Sequence, residues 1–339
     1  MITGRLLMKK PKITKNGIVL FHSILFTLII GFIFGYLISN INKDDNGASL
    51  QKKYNLLDKR IFLDNPSDII INFSPLKQQL QNYNTVLNAK GVTESLYFEY
   101  LPTGSSIGIN STQDLVGASL LKVPLAMDLY KASEEGKINL NTKITLQKAW
   151  LDNSFGDLYK KGAGYQLTLG DADRIMLTNS DNTAALAVYY SLIKVMPIDQ
   201  ILLSFVDSQY SVNKNQSINI GAQSYSKILQ CLYYSCYISP QDSQQILQYL
   251  TESPYNNRIT ADLPHNITVA HKIGEYNTPT TNVQSDCGIV YLTNRNYLLC
   301  IMVTGTDPEA SSEIATISQT VYSYLSNVNP YKTNNLNSP

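Results

Sequence analysis

An uncharged stretch of 24 residues, Gly17 to Asn40, constrains the fold of this chain more than any other feature. As a helix it would be about 36 Å long, which is enough to cross a hydrocarbon core of roughly 30 Å. A cleaved signal peptide has a shorter apolar core followed by small residues, a pattern that Tyr36 to Asn40 lacks. We therefore predict an uncleaved transmembrane anchor over residues 17–41.

Charge is distributed unevenly on the two sides of this stretch. Residues 1–16 contain five basic residues and no acidic one, whereas the rest of the chain has 22 basic and 26 acidic residues. Because basic flanks stay in the cytoplasm, we expect residues 1–16 to be a cytoplasmic tail of a single-pass cell-membrane protein. Everything after the anchor would be extracytoplasmic. The net charge of +1 provides no basic field, so a nucleic-acid partner is not expected.

The extracytoplasmic part divides into a stalk at 42–72, one folded domain at 73–326 and a disordered polar tail at 327–339. Alternation of apolar and polar residues from Ser95 to Tyr100, followed by a turn and Ser106 to Ile109, predicts a hairpin. Apolar residues with helical spacing predict a helix before the first hairpin and another at the end of the domain. The region of about 126–257 is predicted to be mostly helical. The predicted fold is α/β of the α+β type: a five-stranded antiparallel sheet flanked by helices, plus an all-helical subdomain. The other three strands are predicted at Ile267 to Ile273, Gly288 to Leu292 and Tyr297 to Thr304.

Metal and nucleotide chemistry find no support in the sequence. The three histidines and four cysteines have no zinc-ligand spacing, and the chain has no glycine-rich phosphate loop. We therefore predict neither a metal nor a cofactor. Gly104 to Gly108 matches a G-x-S-x-G nucleophile elbow, but it begins a second strand rather than a helix, so we interpret it as an ordinary turn.

An S-x-x-K spacing occurs six times, and the occurrence at Ser119 is distinguished by its context. It follows the hairpin and opens an apolar helix, so that the hydroxyl of Ser119 and the amine of Lys122 lie on one helix face. Further along the chain, Ser180-Asp181-Asn182 follows a helix and Lys272-Ile273-Gly274 lies on a predicted strand.

These three motifs, in this order and in these elements, resemble the penicillin-binding serine hydrolase superfamily, most closely the class A beta-lactamases and related serine hydrolases. The resemblance covers roughly residues 73–326. It also includes Leu167-Thr168-Leu169 before the second motif and Arg258 to Pro264 before the third.

The resemblance implies a role for each motif residue. Ser119 would be the nucleophile that becomes acylated, and Lys122 would be its base, provided that burial and the second cation Lys272 lower its pKa. Ser180, held by Lys272, would give a proton to the leaving nitrogen. Asn182 would bind the substrate amide carbonyl and fix Lys122.

The third motif would form the opposite wall of the site. Gly274 would let the substrate lie close to the strand. The backbone N–H of Glu275, with that of Ser119, would form the oxyanion hole, and the Glu275 side chain would merely face solvent. Asp181 would hold its own loop together, and His271 would be structural because it points away from Lys272.

The sequence departs from this family at the residues that release the acyl group. Class A enzymes use a glutamate in an E-x-x-L-N context, and the stretch Val206 to Gly221 at that place has no glutamate. Without a base to activate water, release of the acyl group is expected to be slow. Thr183 to Arg258 contains one glutamate, Glu252, and the aspartates Asp199, Asp207 and Asp242.

Two further departures concern binding of a substrate carboxylate. Ile273 replaces the usual threonine or serine, and Cys287 stands where many relatives have an arginine. The preferred substrates are therefore expected to differ from penicillins.

The cysteine spacing argues against one disulfide and leaves another open. Cys231 and Cys236 lie five residues apart on one predicted helix, so we expect no bridge between them. Counting from the turn at 293–296 places Cys287 and Cys300 diagonally, and they bridge only if the register differs.

Three functions remain open at this point. The leading one is a membrane-anchored serine hydrolase that forms an acyl-enzyme on Ser119 with peptidoglycan peptides or beta-lactam amides. The second is a true class A beta-lactamase, which the motifs favour and the missing glutamate disfavours. The third is a penicillin-binding sensor that is acylated once without turnover.

Overall fold

A computed structural model of the chain describes residues 53–57, 70–196, 211–212 and 218–329. The predicted anchor at 17–41, the basic tail and most of the predicted stalk lie outside these residues. Within the described ranges, no helix combines the length and the hydropathy needed to cross a membrane. Part of the predicted stalk lies against the folded domain, where Leu56 is buried and its carbonyl accepts a hydrogen bond from Tyr291 at 2.8 Å.

A five-stranded antiparallel sheet forms the centre of the domain, as the sequence predicts. Its strands are β1 (Glu94–Tyr100), β2 (Ser105–Ile109), β8 (Thr268–Asn277), β9 (Asn282–Tyr291) and β10 (Tyr297–Thr304). Their spatial order is β2-β1-β10-β9-β8, so strands from both ends of the domain meet where β1 pairs with β10. Short ladders are formed by β3 (Leu115–Val116), β4 (Lys143–Thr145), β5 (Gln166–Thr168), β6 (Ser211–Val212) and β7 (Ile218–Ile220).

Helices cover both faces of the central sheet, which explains why β10 is apolar without alternation. Leu299 and Ile301 of β10 pack on one side with helices α1 (Ser74–Ala89) and α7 (Glu309–Asn327). Cys300 and Met302 point to the other side, where helix α5 (Ala222–Tyr233) lies. Every residue of β10 up to Val303 is therefore buried.

The helical subdomain contains α2 (Lys122–Glu134), α3 (Leu169–Thr178), α4 (Asn182–Leu192) and α6 (Pro240–Thr251). Helix α2 is central, and neighbouring helices pack around it, so that it is buried on most of its surface. Helix α3 begins with a side-chain cap, because Thr168 Oγ1 accepts a hydrogen bond from the Asp171 amide at 3.0 Å.

The structure corrects the expectation for Cys231 and Cys236 and decides the one left open for Cys287 and Cys300. Cys231 and Cys236 are bridged, because α5 ends at Tyr233 and Ser235 adopts φ 51°, which turns the chain back towards Cys231. Cys287 and Cys300 are also bridged, because the β9–β10 register places them directly opposite each other. The hairpin turn is longer than four residues, and this shifts the register by two.

Candidate active site

Ser119 lies in a tight 3₁₀ turn, Ala118–Leu121, which leads directly into α2. Ala118 has a φ of 43°, in the left-handed region that costs energy for a residue with a Cβ. The hydroxyl of Tyr225 on α5 donates a hydrogen bond to the Leu120 carbonyl at 3.0 Å, which ties the turn to α5. The turn precedes the first residue of the helix, so Lys122 Nζ comes within 2.9 Å of Ser119 Oγ.

The amine of Lys122 is buried and surrounded by oxygen atoms. Besides Ser119 Oγ, its partners are the Ser180 carbonyl, Ser180 Oγ at 3.4 Å and Asn182 Oδ1 at 2.6 Å. Burial lowers the pKa of Lys122 to about 7, although the carboxylates of Asp181 and Asp152 oppose this shift. A substantial neutral fraction at pH 7 enables this amine to accept a proton.

Ser180 lies between the two lysines of the site. It has a φ of 54°, and its Oγ accepts a hydrogen bond from Lys272 Nζ at 2.7 Å. Lys272 is 2% exposed, and its amine also donates to the Ile273 carbonyl at 3.1 Å. Burial lowers the pKa of Lys272 well below its usual value, and the nearby Lys122 and Arg258 lower it further, against Asp286 and Glu275.

Asn182 connects Lys122 to a loop at residues 151–157. Its Nδ2 donates to Ser154 Oγ at 2.7 Å, and its backbone amide donates to the Phe155 carbonyl at 3.0 Å. Asp181 caps α4 through the Ala184 amide and accepts from the Leu158 amide, both at 2.8 Å. The Asp181 carboxylate thus ties the same loop to α4.

The β8 wall differs in two details from what the resemblance implies. A Cβ on Gly274 would lie 2.4 Å from Ser285 Oγ and 3.2 Å from the Gly117 carbonyl. The glycine therefore lets the strand approach the turn that carries Ser119. Glu275 does not simply face solvent, since its Oε1 accepts a hydrogen bond from Arg258.

Arg258 is fully buried behind this wall and bonds to five acceptors. Its guanidinium donates to the carbonyls of Gly274 (3.2 Å) and Ser285 (2.9 Å), and to side chains of α7, β8 and β9. The side-chain acceptors are Ser311 Oγ, Glu275 Oε1 and Gln284 Oε1. Arg258 therefore joins the β8–β9 edge to α7.

His271 points away from Lys122 and Lys272, as its position next to Lys272 on β8 predicts. Its Nδ1 is 2.9 Å from Asp286 Oδ1, and both side chains are buried. The other carboxylate oxygen of Asp286 accepts from the Ile259 amide at 3.1 Å. This pair anchors the segment after Arg258 to the sheet.

The predicted site residues come together around one cavity of about 200 Å³. Ser119, Ser180, Asn182 and Glu275 line it, Lys122 and Lys272 bond to the lining residues, and Gly274 packs behind. Among the described residues, no group of three or more metal-ligating side chains occurs. Sequence reasoning missed four cavity-related residues, Ser154, Phe155, Asn277 and Arg258.

The acidic residues considered for water activation do not line this cavity where the structure describes them. Glu252 bonds to Arg174 at 2.8 Å, and Asp242 lies at the start of α6 beside Ser239. Asp199, Asp207 and most of the stretch from Val206 to Gly221 fall outside the described residues.

The fold and this arrangement of side chains define a serine hydrolase that acts on amides. The model of the beta-lactamase enzyme family matches residues 75–325, so the chain belongs to that family. A beta-lactamase from Phocaeicola vulgatus is 24% identical over 248 residues, which cover 65% of this chain and 76% of that relative.

Solved structures share the fold at low sequence identity. PBP-A superposes with a TM-score of 0.67 at 22% identity, covering 76% of this chain and 98% of that chain. A class A beta-lactamase from Bacteroides cellulosilyticus gives a TM-score of 0.65 at 20% identity, covering 75% and 99%. A PBP-A variant has been solved as an acyl-enzyme complex with penicillin G, at 23% identity and a TM-score of 0.67, covering 77% and 99%.

Proposed function

We propose that this protein forms an acyl-enzyme on Ser119 with cell-wall peptides or beta-lactams and releases the acyl group slowly. The observation that carries the proposal is the contact between Ser119 Oγ and a buried lysine amine 2.9 Å away, whose pKa is about 7. A serine hydroxyl is too weakly acidic to attack an amide unless a neighbour removes its proton. Lys122 has the position and the basicity for that step.

The geometry supports a complete route for the proton. As Ser119 Oγ bonds to the substrate carbonyl carbon, its proton passes to Lys122 Nζ. Ser180 Oγ lies 3.4 Å from that amine and 2.7 Å from Lys272 Nζ, so it can pass a proton to the leaving nitrogen as the C–N bond breaks. Backbone N–H groups of Ser119 and Glu275 would bind the carbonyl oxygen in the transition state.

For the second half of the reaction, hydrolysis of the ester requires a group that removes a proton from water. Among the described residues that line the cavity, the one carboxylate is that of Glu275, which does not occupy an E-x-x-L-N context. This supports slow release over the rapid antibiotic turnover of a true beta-lactamase.

An intact-mass time course of the full chain with penicillin G tests the proposal. The expected result is a ligand-sized mass increase that persists for hours and is absent from Ser119→Ala. Rapid return to the unmodified mass with accumulation of hydrolysed drug would establish a true beta-lactamase instead. A peptide ending in two D-alanines, assayed for release of D-alanine, tests the cell-wall substrate.

We also propose that residues 17–41 anchor the enzyme in the cell membrane with its catalytic domain outside. The support is the uncharged run of 24 residues with five basic residues before it. Protease added to intact spheroplasts should degrade the catalytic domain and leave an N-terminal tag on residues 1–16 protected. Recovery of the full chain in the soluble fraction would contradict this topology.

A further inference from the structure

The loop at residues 151–157 carries a polar chain that reaches the catalytic lysine. It runs from the Asp152 carboxylate to the Ser154 hydroxyl, then to the Asn182 amide and finally to Lys122 Nζ. The loop is fixed at its start, because the Asp152 amide donates to Thr183 Oγ1 at 2.9 Å and the Asp152 carbonyl accepts from the same hydroxyl at 3.1 Å. Thr183 is fully buried in the first turn of α4.

The direction of each hydrogen bond in this chain is determined by the Asp152 carboxylate. An ionised carboxylate only accepts, so the Ser154 hydroxyl must donate to it. The oxygen of Ser154 is then left to accept, and the group that approaches it at 2.7 Å must be the amino end of the Asn182 amide. The carbonyl end, Oδ1, consequently faces Lys122 at 2.6 Å.

Without the carboxylate, the Ser154 hydroxyl could rotate and donate to the amide instead. The Asn182 amide could then turn over and place its NH₂ against the lysine amine, removing the acceptor on which Lys122 depends. We propose that Asp152 and Ser154 are positioning residues that fix the orientation of the Asn182 amide, so that its Oδ1 holds Lys122 and its NH₂ end faces the loop at residues 151–157.

Asp152 also acts on Lys122 through space. Burial raises the pKa of Asp152, but hydrogen bonds from Ser154 and Asn182 and the nearby Lys122 outweigh it and keep the pKa low. Among the described residues, the charged groups that face Lys122 are Asp181 from the start of α4, Asp152 from the loop and Lys272 from β8. Asp152 and Asp181 raise the pKa of Lys122, whereas Lys272 and Lys122 repel each other.

This inference rests on the proposed acylation of Ser119, and its two residues are predicted to have different kinetic signatures. In Asp152→Asn, loss of the negative charge lowers the pKa of Lys122. The acidic limb of the plot of acylation rate against pH should therefore move to lower pH by about 0.5–1 unit. In Ser154→Ala, the charge remains, so the limb should stay in place while the rate falls about tenfold. Ser154→Thr keeps the hydroxyl and should recover most of the rate.

The measurement is the rate of labelling of the full chain by a fluorescent penicillin between pH 5 and pH 9. Asp157→Asn is the matched control, because Asp157 lies in the same loop but its carboxylate is exposed and bonds to Lys160. The control should match the wild type in rate and pH profile. The proposal would be overturned if Asp152→Asn and Ser154→Ala had the rate and pH profile of the wild type. It would also be overturned if both variants lost the same factor in labelling rate and the acidic limb of neither pH–rate profile shifted.

An independent readout separates this proposal from the proposed function. Titration of the lysine side chains by NMR, with Lys122 assigned from Lys122→Met, needs no substrate. A lower pKa of Lys122 in Asp152→Asn than in Asp157→Asn supports the inference even if the wild type fails to react with the penicillin. An unchanged pKa of Lys122 contradicts it whether or not acylation occurs.

Discussion

Replacement of Lys122 by methionine tests whether the site really holds a neutral lysine at physiological pH. Lys122 is 7% exposed, and burial lowers the pKa of its amine from 10.5 to about 7. In the unfolded chain the same amine keeps its proton up to pH of about 10. The folded wild type therefore binds fewer protons than the unfolded chain above pH 7, and its stability must rise with pH in that window.

The magnitude follows from the pKa difference. Each pH unit above 7 contributes about 1.4 kcal/mol to the free energy of unfolding of the wild type. Between pH 6 and pH 9, this free energy should therefore increase by about 2–3 kcal/mol more in the wild type than in Lys122→Met. Below pH 6 the difference in the free energy of unfolding between the wild type and Lys122→Met should not change with pH. Loss of the Lys122 charge also raises the pKa of the neighbouring Lys272, which increases the difference in the same direction.

Urea unfolding of the full chain in mild detergent at pH 6, 7, 8 and 9 measures this effect. Lys131→Met is the matched control, because Lys131 lies on the same helix with its amine 3.8 Å from Glu134 near the surface. The control should follow the wild type at every pH. A constant difference between the wild type and Lys122→Met would show that Lys122 keeps its proton in the folded protein, and the proposed base would be refuted.

Three further predictions follow from the structure. Arg258→Met should lower the free energy of unfolding by about 3–5 kcal/mol, because it leaves buried acceptors and a carboxylate without a donor; a urea titration with wild-type stability would contradict this. Ser180→Ala should slow labelling by a fluorescent penicillin about 100-fold, since the leaving nitrogen loses its proton donor, while Ser119 still becomes labelled. Non-reducing peptide mass mapping should recover the pairs Cys231–Cys236 and Cys287–Cys300, and alkylation of any of these thiols without reduction would argue against them.

The sheet and the three motifs could be predicted because their signals are local. The continuous apolar run of β10 reports directly that both faces of the strand are buried, whereas the alternation in β1 indicates a strand but not its burial, since Ser95 and Glu99 are buried as well. The capping residue Thr168 and the motif order likewise depend on neighbours in sequence. The predicted strand positions agree with the structure to within a few residues, apart from the longer β8 and β9. The predicted all-helical region of about 126–257 is wrong in one respect, because it also contains the short strands β4 to β7.

The errors arose where an element ends without a marked residue. Ser235 adopts the left-handed conformation that usually follows a helix and is usually occupied by glycine. Because a serine gives no such signal in the sequence, the Cys231–Cys236 bridge was not predicted. The β9–β10 register was wrong by two residues because the turn looked shorter than it is.

The missed site residues depend on contacts between distant parts of the chain. Ser154 meets Asn182 across 28 positions, and Arg258 meets Ser285 across 27. No local pattern shows that these polar side chains face one another, since only the folded sheet and helices bring them together. Arg258 carried one signal, because it opens the segment that leads into the third motif.

Location of the acyl group tests the central claim most directly. The full chain is incubated with penicillin G, digested, and the peptide that carries the added mass is sequenced by tandem mass spectrometry. The account predicts a single adduct on Ser119 that survives for hours, and no adduct in Ser119→Ala. An adduct on another residue, or equal labelling of Ser119→Ala, would contradict it.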